Sequence, residues 1–240
     1  MAKLEAYDKA LDYSYAPGIF PATECLKNAK KRCMRLLVSS NGLQSEGVQA
    51  LERDAQEAGV RVEVADRALE RISKKENCFA AMVYKKAEGR FDEDSPHIVL
   101  HHPSDSGNLG TILRTALGFG LKNIAIIRPA VDSDDPRVVR ASMGAVFRMA
   151  LPQITEEEAL AQCREKKLML TVTALNDQAV DIRNADLTNA VAVIGSEGQG
   201  VRKSILDTAE QSVIIPMQPH CESLNAAVAA AIVMWQMKNG

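Results

Sequence analysis

From residue 98 to residue 237 the chain alternates between short, almost entirely apolar segments and longer segments with helical spacing. Apolar runs without polar alternation are typical of parallel strands that are covered by helices on both faces. The predicted strands are Ile98–His101, Asn123–Ile127, Val146–Met149, Leu168–Val172, Ala190–Ile194 and Val213–Ile215. The predicted helices are Leu109–Phe119, Pro136–Met143, Glu156–Lys166, Arg202–Thr208 and Ser223–Met237. The pattern therefore predicts an α/β domain over residues 98–240, with ligands bound at the carboxyl ends of its strands.

A smaller α/β domain is predicted over residues 35–86. Its predicted strands are Leu36–Val38, Val60–Val64 and Phe79–Tyr84, and its predicted helices are Gly47–Ala58 and Arg67–Ile72. Residues 87–97 are polar and contain Gly and Pro, which is typical of a linker. Residues 1–34 form an N-terminal extension without a clear period. A basic cluster at its end is either a solvated helix face or a patch that contacts phosphates; it consists of Lys27, Lys30, Lys31, Arg32 and Arg35.

Composition excludes several classes of protein. The 240 residues are 46% hydrophobic and 25% charged, as in ordinary globular domains. The apolar run Ala226–Trp235 is too short to span a bilayer, and the N-terminus resembles no signal peptide, so we expect no membrane association and a cytoplasmic location. Five cysteines without a C-x-x-C pair argue against a disulfide framework or a zinc site. His101, His102 and His220 have no ligand-like neighbours in the sequence, so no metal site is predicted.

The first loop with chemical interest follows the predicted strand Ile98–His101. Asn108 is placed to cap the helix Leu109–Phe119, and Arg114 lies early in that helix. A helical arginine leans toward the helix N-terminus, so its guanidinium is expected near the loop. A cation there indicates an anionic partner such as a phosphate, although an ordinary surface salt bridge explains it equally well.

The second loop is rich in glycine and follows the strand Ala190–Ile194. Gly195, Gly198 and Gly200 have the spacing G-x-x-G-x-G, which differs from the G-x-G-x-x-G of dinucleotide-binding folds. Glycines between a strand and a helix allow a ligand to approach the backbone closely, but a plain tight turn is also possible. Glu197, between the glycines, is an unusual residue for such a turn.

The third loop joins the strand Val213–Ile215 to the last helix. Ser223 is placed as an N-cap, and apolar or small residues on every side of the helix 223–237 predict that it is buried all round. Asn225, in the first turn of a buried helix, needs polar partners, for which Asn108 and Glu197 are suitable.

Taken together, these three loops carry a resemblance to a known family. Asn108-Leu-Gly-Thr-Ile-Leu-Arg-Thr-Ala, Ile194-Gly-Ser-Glu-Gly-Gln-Gly, and Ile215-Pro-Met with Ser223-Leu-Asn closely resemble the three motifs of the SpoU (TrmH-type) RNA 2′-O-ribose methyltransferases of the SPOUT class. The resemblance covers residues 98–238. It implies a parallel sheet whose C-terminal part forms a deep trefoil knot. Residues 35–85 resemble, more loosely, the L30e-like substrate-recognition domain that often precedes it.

The resemblance also implies an activity and its residues. The reaction would transfer a methyl group from S-adenosylmethionine to a ribose 2′-hydroxyl, without a metal. The implied catalytic residues are Arg114, Asn108, Glu197, Ser223 and Asn225, with Arg114 either a base or, because guanidinium is very hard to deprotonate, an electrostatic stabiliser. The implied cofactor-binding residues are Thr173, Ala174, Gly195, Gly200, Ile215, Met217 and Leu224. The RNA-binding candidates are Lys31, Arg32, Arg35 and Arg140.

Partners follow from the same resemblance. We expect a homodimer and an RNA substrate, with ribosomal RNA favoured over transfer RNA because a separate recognition domain is predicted. Two alternatives remain open: a catalytically silent RNA-binding or assembly protein on the same fold, and a small-molecule nucleotide enzyme. Net charge of −2 and a pI of about 6.1 favour the second alternative only weakly.

Overall fold

The computed structural model describes residues 4–73, 77–89, 97–174, 178–196, 198, 200–221 and 223–239. The strands in these ranges are β1 (Tyr13–Pro17), β2 (Cys33–Val38), β3 (Arg61–Val64), β4 (Ala80–Lys85), β5 (Ile98–His101), β6 (Ile124–Ile127), β7 (Gln153–Ile154), β8 (Met169–Thr173), β9 (Val180–Asp181), β10 (Ala190–Ile194) and β11 (Gln211–Ile214). The α-helices are α1 (Ile19–Asn28), α2 (Glu46–Glu57), α3 (Asp66–Ile72), α4 (Ser106–Gly118), α5 (Pro136–Ala141), α6 (Glu156–Glu165), α7 (Lys203–Leu206) and α8 (Ala226–Asn239). Short 3₁₀ helices occupy Lys30–Arg32, Ser40–Gly42, Ala145–Arg148 and Ile182–Asn184.

The chain forms two compact units. The first contains Met1–Ala87 together with Asp132–Arg148, and the second contains Glu88–Val131 and Met149–Gly240. The predicted domain boundaries at residues 34, 86 and 97 stay predictions, and most of the predicted linker 87–97 lies outside the described residues.

The first unit is built on a four-stranded sheet in the order β1-β4-β2-β3, in which β2 and β3 are parallel and the other pairs are antiparallel. Alternate residues of its strands point to opposite faces, so each face has its own core. Leu36, Met82 and Tyr84 pack in one core, while Leu37 and Val83 pack in the other. β1 and α1, within the predicted N-terminal extension, are part of this unit.

Residues 132–148 belong to the first unit although they lie beyond β6 in the chain. Asp132 accepts hydrogen bonds from the Tyr7 hydroxyl at 2.6 Å and from Lys86 Nζ at 3.0 Å. Asp134 accepts one from the Tyr84 hydroxyl at 2.9 Å. Phe147 packs edge-on against the Tyr84 ring, with ring centroids 5.0 Å apart. Partly buried hydrogen bonds and an aromatic contact therefore hold this segment to the sheet.

The second unit contains a seven-stranded sheet in the order β7-β6-β5-β10-β8-β11-β9, and every pair in it is parallel. All residues of β5, β6 and β10 are buried, and all of them except His101 are apolar, as expected of strands covered on both faces. The α/β fold with a parallel sheet is therefore confirmed. None of the helices in the described ranges is both long and apolar enough to cross a membrane.

One predicted strand is wrong. Val146–Met149 is not a strand, because Ala145–Arg148 forms a 3₁₀ helix in the first unit. A short apolar run does not distinguish a strand from a buried helical turn by its period. Met143 and Gly144, both with positive φ, turn the chain immediately before it, and the turn places Phe147 on Tyr84.

Candidate functional site

The three motif loops follow strands that lie close together in the second unit. β5 precedes the loop with Asn108, β10 precedes the glycine-rich loop, and β11 precedes the loop from Ile215 onward. In the sheet these strands lie in the order β5-β10-β8-β11, and β8 ends at Thr173. Because all of them are parallel, their carboxyl ends lie at the same edge of the sheet, and this edge is the candidate site.

The glycine-rich loop is a closed turn. Ser196 and Gly200 exchange backbone hydrogen bonds, with N···O distances of 3.3 and 3.0 Å. A Cβ atom at Gly195 would lie 2.5 Å from the carbonyl carbon of Gly200, so only glycine fits at position 195. Gly200 has a φ of +63°, in the left-handed region. Glu197, which the resemblance implies as catalytic, lies outside the described residues.

The other implied cofactor-binding residues surround this turn along the edge of the sheet. The Thr173 hydroxyl donates to the Val193 carbonyl at 3.1 Å, and the Ala174 amide donates to the Val213 carbonyl at 3.1 Å. Ile215 directly follows β11, and both it and Met217 are half-buried. These contacts fix the backbone at the ends of β8, β10 and β11.

The cap of α4 differs from the prediction. The helix begins at Ser106, and Asp105 is its N-cap, since its carboxylate accepts from the Asn108 amide at 2.7 Å. Asn108 is therefore inside the first turn, so the prediction of Asn108 as the cap is wrong. The Asn108 side chain contacts another loop instead: its Oδ1 accepts a hydrogen bond from Asn225 Nδ2 at 3.0 Å. The predicted partnership of Asn108 and Asn225 is confirmed.

The cap of α8 also lies elsewhere. The helix begins at Ala226, and Asn225 Oδ1 accepts from the Ala227 amide at 2.9 Å, so Asn225 rather than Ser223 is the N-cap. Ser223 is exposed before the helix, and Leu224 is partly buried. Serine and asparagine are about equally good caps, so sequence alone did not separate them.

Arg114 lies on the exposed stripe of α4 with Gly107, Thr111 and Gly118. Gly107 and Thr111 are small and lie one to two turns toward the helix N-terminus, the direction in which a helical arginine leans. No carboxylate in the described parts of the chain lies within ion-pair distance of Arg114. The surface salt bridge considered from the sequence is therefore not observed among these residues, and the Arg114 side chain is exposed.

A second polar cluster lies beside the glycine-rich loop. The His101 side chain is fully buried at the end of β5, and its Nδ1 lies 3.2 Å from the Gly200 carbonyl oxygen. His101 Nε2 lies 3.3 Å and His102 Nε2 3.5 Å from Glu156 Oε1. The same carboxylate accepts from Arg202 at 3.0 Å and from the Ser204 hydroxyl at 2.9 Å. The expectation that His101 and His102 lack ligand-like neighbours is therefore wrong, because Glu156 is distant in sequence.

The pKa values of His101 and Glu156 in this cluster both lie below their usual values. Burial, together with the adjacent His102, lowers the pKa of His101 below its usual value, despite Glu156 and the Gly200 carbonyl. Burial would raise the pKa of Glu156, but hydrogen bonds from Ser204 and His101 and the charge of Arg202 outweigh it and lower that pKa. At neutral pH the cluster thus contains a neutral His101 and an ionised Glu156.

The four RNA-binding candidates all lie in the first unit. Lys31 is exposed. Arg32 contacts Asp134 at 3.4 Å and lies over the Tyr84 ring, 5.2 Å from its centroid. Arg35 contacts Glu63 at 3.3 Å, and Arg140 donates to the Ser73 hydroxyl at 2.7 Å. The three arginines thus have partners within the unit, whereas Lys31 points to solvent.

The last helix is less buried than predicted. Val228 and Trp235 on α8 are 49% and 57% exposed. They lie two turns apart on one face, and Trp235 contacts the Phe119 ring edge-on, with centroids 6.0 Å apart. The prediction that this helix is buried on every side is wrong, because the second unit covers only the face that contains Ala227, Ala230, Val233 and Met234.

Comparison with known proteins gives the family. The model of the SpoU rRNA Methylase family matches residues 95–235, more than half of the chain. The chain belongs to the SpoU rRNA Methylase family. An uncharacterized tRNA/rRNA methyltransferase of Synechocystis sp. is 31% identical over 142 residues, which are 59% of this chain and 52% of that protein. The chain thus spans little more than half the length of this curated relative.

Solved structures extend the likeness beyond the SpoU region. An rRNA methyltransferase from Sinorhizobium meliloti has a TM-score of 0.81 at 23% identity, over 94% of this chain and 86% of the other. This similarity establishes the fold. A second structure, described as an RNA 2′-O ribose methyltransferase, has a TM-score of 0.75 at 26% identity, over 94% and 88% of the two chains.

Proposed function

We propose that the protein is an S-adenosylmethionine-dependent RNA methyltransferase that methylates a ribose 2′-hydroxyl. One observation carries the proposal: the three SpoU motif loops follow strands whose carboxyl ends lie at one edge of a parallel sheet. The Asn108–Asn225 hydrogen bond joins two of these loops, and Arg114 is exposed on the helix of the first motif. Membership of the SpoU family and a structural neighbour described as a 2′-O ribose methyltransferase support it.

The cofactor would bind at the ends of β8, β10 and β11. The backbone there is held by interstrand hydrogen bonds, and the missing side chain at Gly195 lets the Gly200 backbone close the turn against it. The neighbouring structures include an AdoMet-bound rRNA methyltransferase from Sinorhizobium meliloti. We propose Thr173, Ala174, Gly195, Gly200, Ile215, Met217 and Leu224 as the residues that bind S-adenosylmethionine. The deep trefoil knot implied by the family resemblance is part of this proposal.

Arg114 would act on the RNA. In methyl transfer the ribose oxygen forms a bond to the methyl carbon while the bond from that carbon to the sulfonium sulfur breaks, which leaves the neutral thioether S-adenosylhomocysteine. The hydroxyl proton is released to water, so negative charge develops on the ribose oxygen. An exposed guanidinium without an ion-pair partner in the described chain is suited to bind the adjacent phosphate and to stabilise this charge. Asn108 and Asn225 would position the loop, and Ser223 and Glu197 complete the proposed set.

The first unit would bind the RNA substrate. Lys27, Lys30 and Lys31 are exposed together at the end of α1 and in the 3₁₀ helix that follows, as expected of a surface that contacts phosphates. We propose residues 35–86 as an L30e-like recognition domain, assisted by Lys31, Arg32, Arg35 and Arg140, and ribosomal RNA as the substrate class. A homodimer and a cytoplasmic location complete the proposal.

A catalytically silent RNA-binding protein on the same fold is the alternative. Both candidates predict RNA binding, and only the enzyme predicts methyl transfer. The test supplies the purified protein with S-adenosylmethionine labelled in the methyl group and with RNA from cells that lack this protein. Transfer of label supports the enzyme, whereas cofactor binding without transfer favours the silent protein.

Variants of Arg114 give a sharper test. We expect Arg114→Ala to lower kcat by about 100-fold or more, as removal of a charge-stabilising donor does in other enzymes. Arg114→Lys should recover part of the rate, because it keeps the charge and loses the planar fork. Arg164→Ala, which removes an exposed arginine from α6, is the matched control and should transfer methyl normally. Unchanged activity of Arg114→Ala would contradict the proposed role.

A further inference from the structure

We infer that His101, His102 and Glu156 form a binding site for a divalent transition metal, of which Zn²⁺ is the best-suited example. One nitrogen or oxygen atom from each side chain lies within 4.8 Å of the others. The inference concerns metal binding and does not rest on methyl transfer, so a negative result would leave the proposed function intact.

The orientation of the two imidazole rings is the first argument. His101 Nδ1 lies 3.2 Å from the Gly200 carbonyl oxygen, and His102 Nδ1 lies 3.1 Å from the Pro129 carbonyl oxygen. Each ring lies between two acceptors, a carbonyl oxygen at Nδ1 and the Glu156 carboxylate near Nε2, and a neutral imidazole can donate to only one of them. With Nδ1 donating to the carbonyl oxygen, a cation between Nε2 and the carboxylate would satisfy both of the remaining groups. Backbone carbonyls that orient histidines in this way are typical of the outer shell of metal sites.

The distances are the second argument. His101 Nε2 and His102 Nε2 lie 3.3 and 3.5 Å from Glu156 Oε1. Ligands bound to tetrahedral Zn²⁺ at 2.0 to 2.2 Å are separated by about 3.3 to 3.5 Å, the edge of the tetrahedron. Both distances to the carboxylate oxygen therefore already match those between ligands of a tetrahedral ion. Two histidines and a glutamate are an established zinc ligand set that leaves one position for water.

Burial is the third argument. The side chains of His101, His102 and Glu156 are 0%, 11% and 14% exposed. His102 Nε2 is buried and has no hydrogen-bond partner among the described residues. A buried Nε2 atom without a hydrogen-bond partner, beside a carboxylate, favours a bound cation.

Arg202 competes for the same carboxylate oxygen. Its NH1 lies 3.0 Å from Glu156 Oε1, but its side chain is 57% exposed and extends to solvent. The ion would displace this guanidinium from Oε1, while Ser204 holds Oε2 at 2.9 Å. A metal site therefore predicts that removing Arg202 strengthens metal binding, whereas a purely structural ion pair gives no reason for such a gain.

The test is metal binding by the full chain after chelator treatment. Zn²⁺ affinity is measured by competition with a chromophoric chelator, and Co²⁺ serves as a spectroscopic probe. Glu156→Gln and His102→Gln should each weaken binding by about tenfold or more. Arg202→Gln should strengthen it about twofold to fivefold, the range of an exposed ion pair. Glu157→Gln, an exposed neighbour on the same helix, is the control and should leave it unchanged.

The Co²⁺ spectrum separates this site from adventitious binding by cysteine. The site predicts tetrahedral d–d absorption without a thiolate-to-metal charge-transfer band. Equal Zn²⁺ affinity of the wild type, Glu156→Gln and His102→Gln would overturn the inference, as would a spectrum dominated by thiolate charge transfer. Because Arg202 is exposed, Arg202→Gln is expected to fold, and a lack of tighter binding in that variant would also count against the site.

Discussion

At the scale of single residues, Asn225 shows how one side chain serves both the fold and the site. Its Oδ1 caps α8 through the Ala227 amide, and its Nδ2 donates to Asn108 Oδ1. The oxygen of this side-chain amide therefore caps a helix, and its nitrogen joins two motif loops. Helix formation and the alignment of the loops depend on the same residue.

Substitutions at Asn225 should separate these roles. Asn225→Ala should lower the free energy of unfolding by about 1 kcal/mol, the usual cost of losing an N-cap. Asn225→Ser should retain most of that stability, because serine caps equally well, but its side chain is too short to reach Asn108. Urea unfolding can be followed by the fluorescence of Trp235, the one tryptophan of the chain, which lies on α8. We expect both variants to lose methyl transfer; equal destabilisation by the two would contradict the capping role.

The helix N-caps also show which features of single residues could not be predicted from the sequence. The hydrogen bond between Asn108 and Asn225 was predicted from their residue types and is observed, whereas the roles of these residues and of Arg114 stay predictions. Both predicted cap positions were displaced, to Asp105 and to Asn225. Asp105 could have been found, since it stands three residues before Asn108 and is as good a cap. The cluster of His101 with Glu156 could not, because 55 positions separate the two in sequence and only the order of the strands brings them together.

At the scale of elements, α8 differs most from its prediction. Its sequence is apolar all round, but the second unit buries one face and leaves Val228 and Trp235 exposed. The sequence predicted this helix, and the structure contains it. The sequence could not show whether the chain itself covers every apolar face of the helix. An apolar helix face left exposed is expected where another protein surface binds. This supports the proposed homodimer.

A charge on that face should prevent the dimer. Val228→Glu places a carboxylate where the proposed partner would bury it, and burying an unpaired charge is costly. We expect this variant to elute as a monomer in size-exclusion chromatography with light scattering, while the wild type elutes as a dimer. Val64→Glu is the matched control, since Val64 is a valine of the first unit that is 56% exposed. A wild-type monomer, or a Val228→Glu dimer, would contradict this use of the face.

At the scale of the whole molecule, the chain leaves the second unit after β6 and returns to it at Met149. The parallel sheet could be predicted because its strands are apolar and regularly spaced. The position of 132–148 in the first unit could not, because its anchors Asp132 and Asp134 look like ordinary loop residues in the sequence. Their partners, Tyr7 and Tyr84, are far away along the chain.

The Tyr7–Asp132 hydrogen bond should therefore stabilise the first unit. Tyr7→Phe should lower the free energy of unfolding by about 1.5 to 3 kcal/mol at pH 7, the range for a hydrogen bond to a charged group. Tyr13→Phe is the control, because the Tyr13 hydroxyl accepts from the Glu5 amide at 3.2 Å and has no carboxylate partner in the described parts of the chain. Urea unfolding followed by circular dichroism measures both; equal losses would contradict the role of Asp132.

This loss should depend on pH. Burial opposes ionisation of Asp132, but hydrogen bonds from Tyr7, the Asp134 amide and Lys86 outweigh it and lower its pKa in the folded protein. A lowered folded pKa adds stability above the unfolded pKa of about 4, and this stability disappears as the pH falls through the folded value. The difference between wild type and Tyr7→Phe should thus be full at pH 7 and shrink below pH 4. An undiminished difference in acid would show that the charge of Asp132 is not involved.

The proposed reaction places the methyl group on the ribose 2′-oxygen, and the alkaline cleavage of RNA tests this directly. Alkali cleaves RNA through attack by the 2′-hydroxyl, so a methylated 2′-oxygen protects the linkage that follows it. RNA labelled by this protein with methyl-labelled S-adenosylmethionine is hydrolysed in alkali and its products are separated by size. The account predicts the label in alkali-resistant dinucleotides. Label in mononucleotides would mean that a base is methylated, and would contradict the proposed reaction.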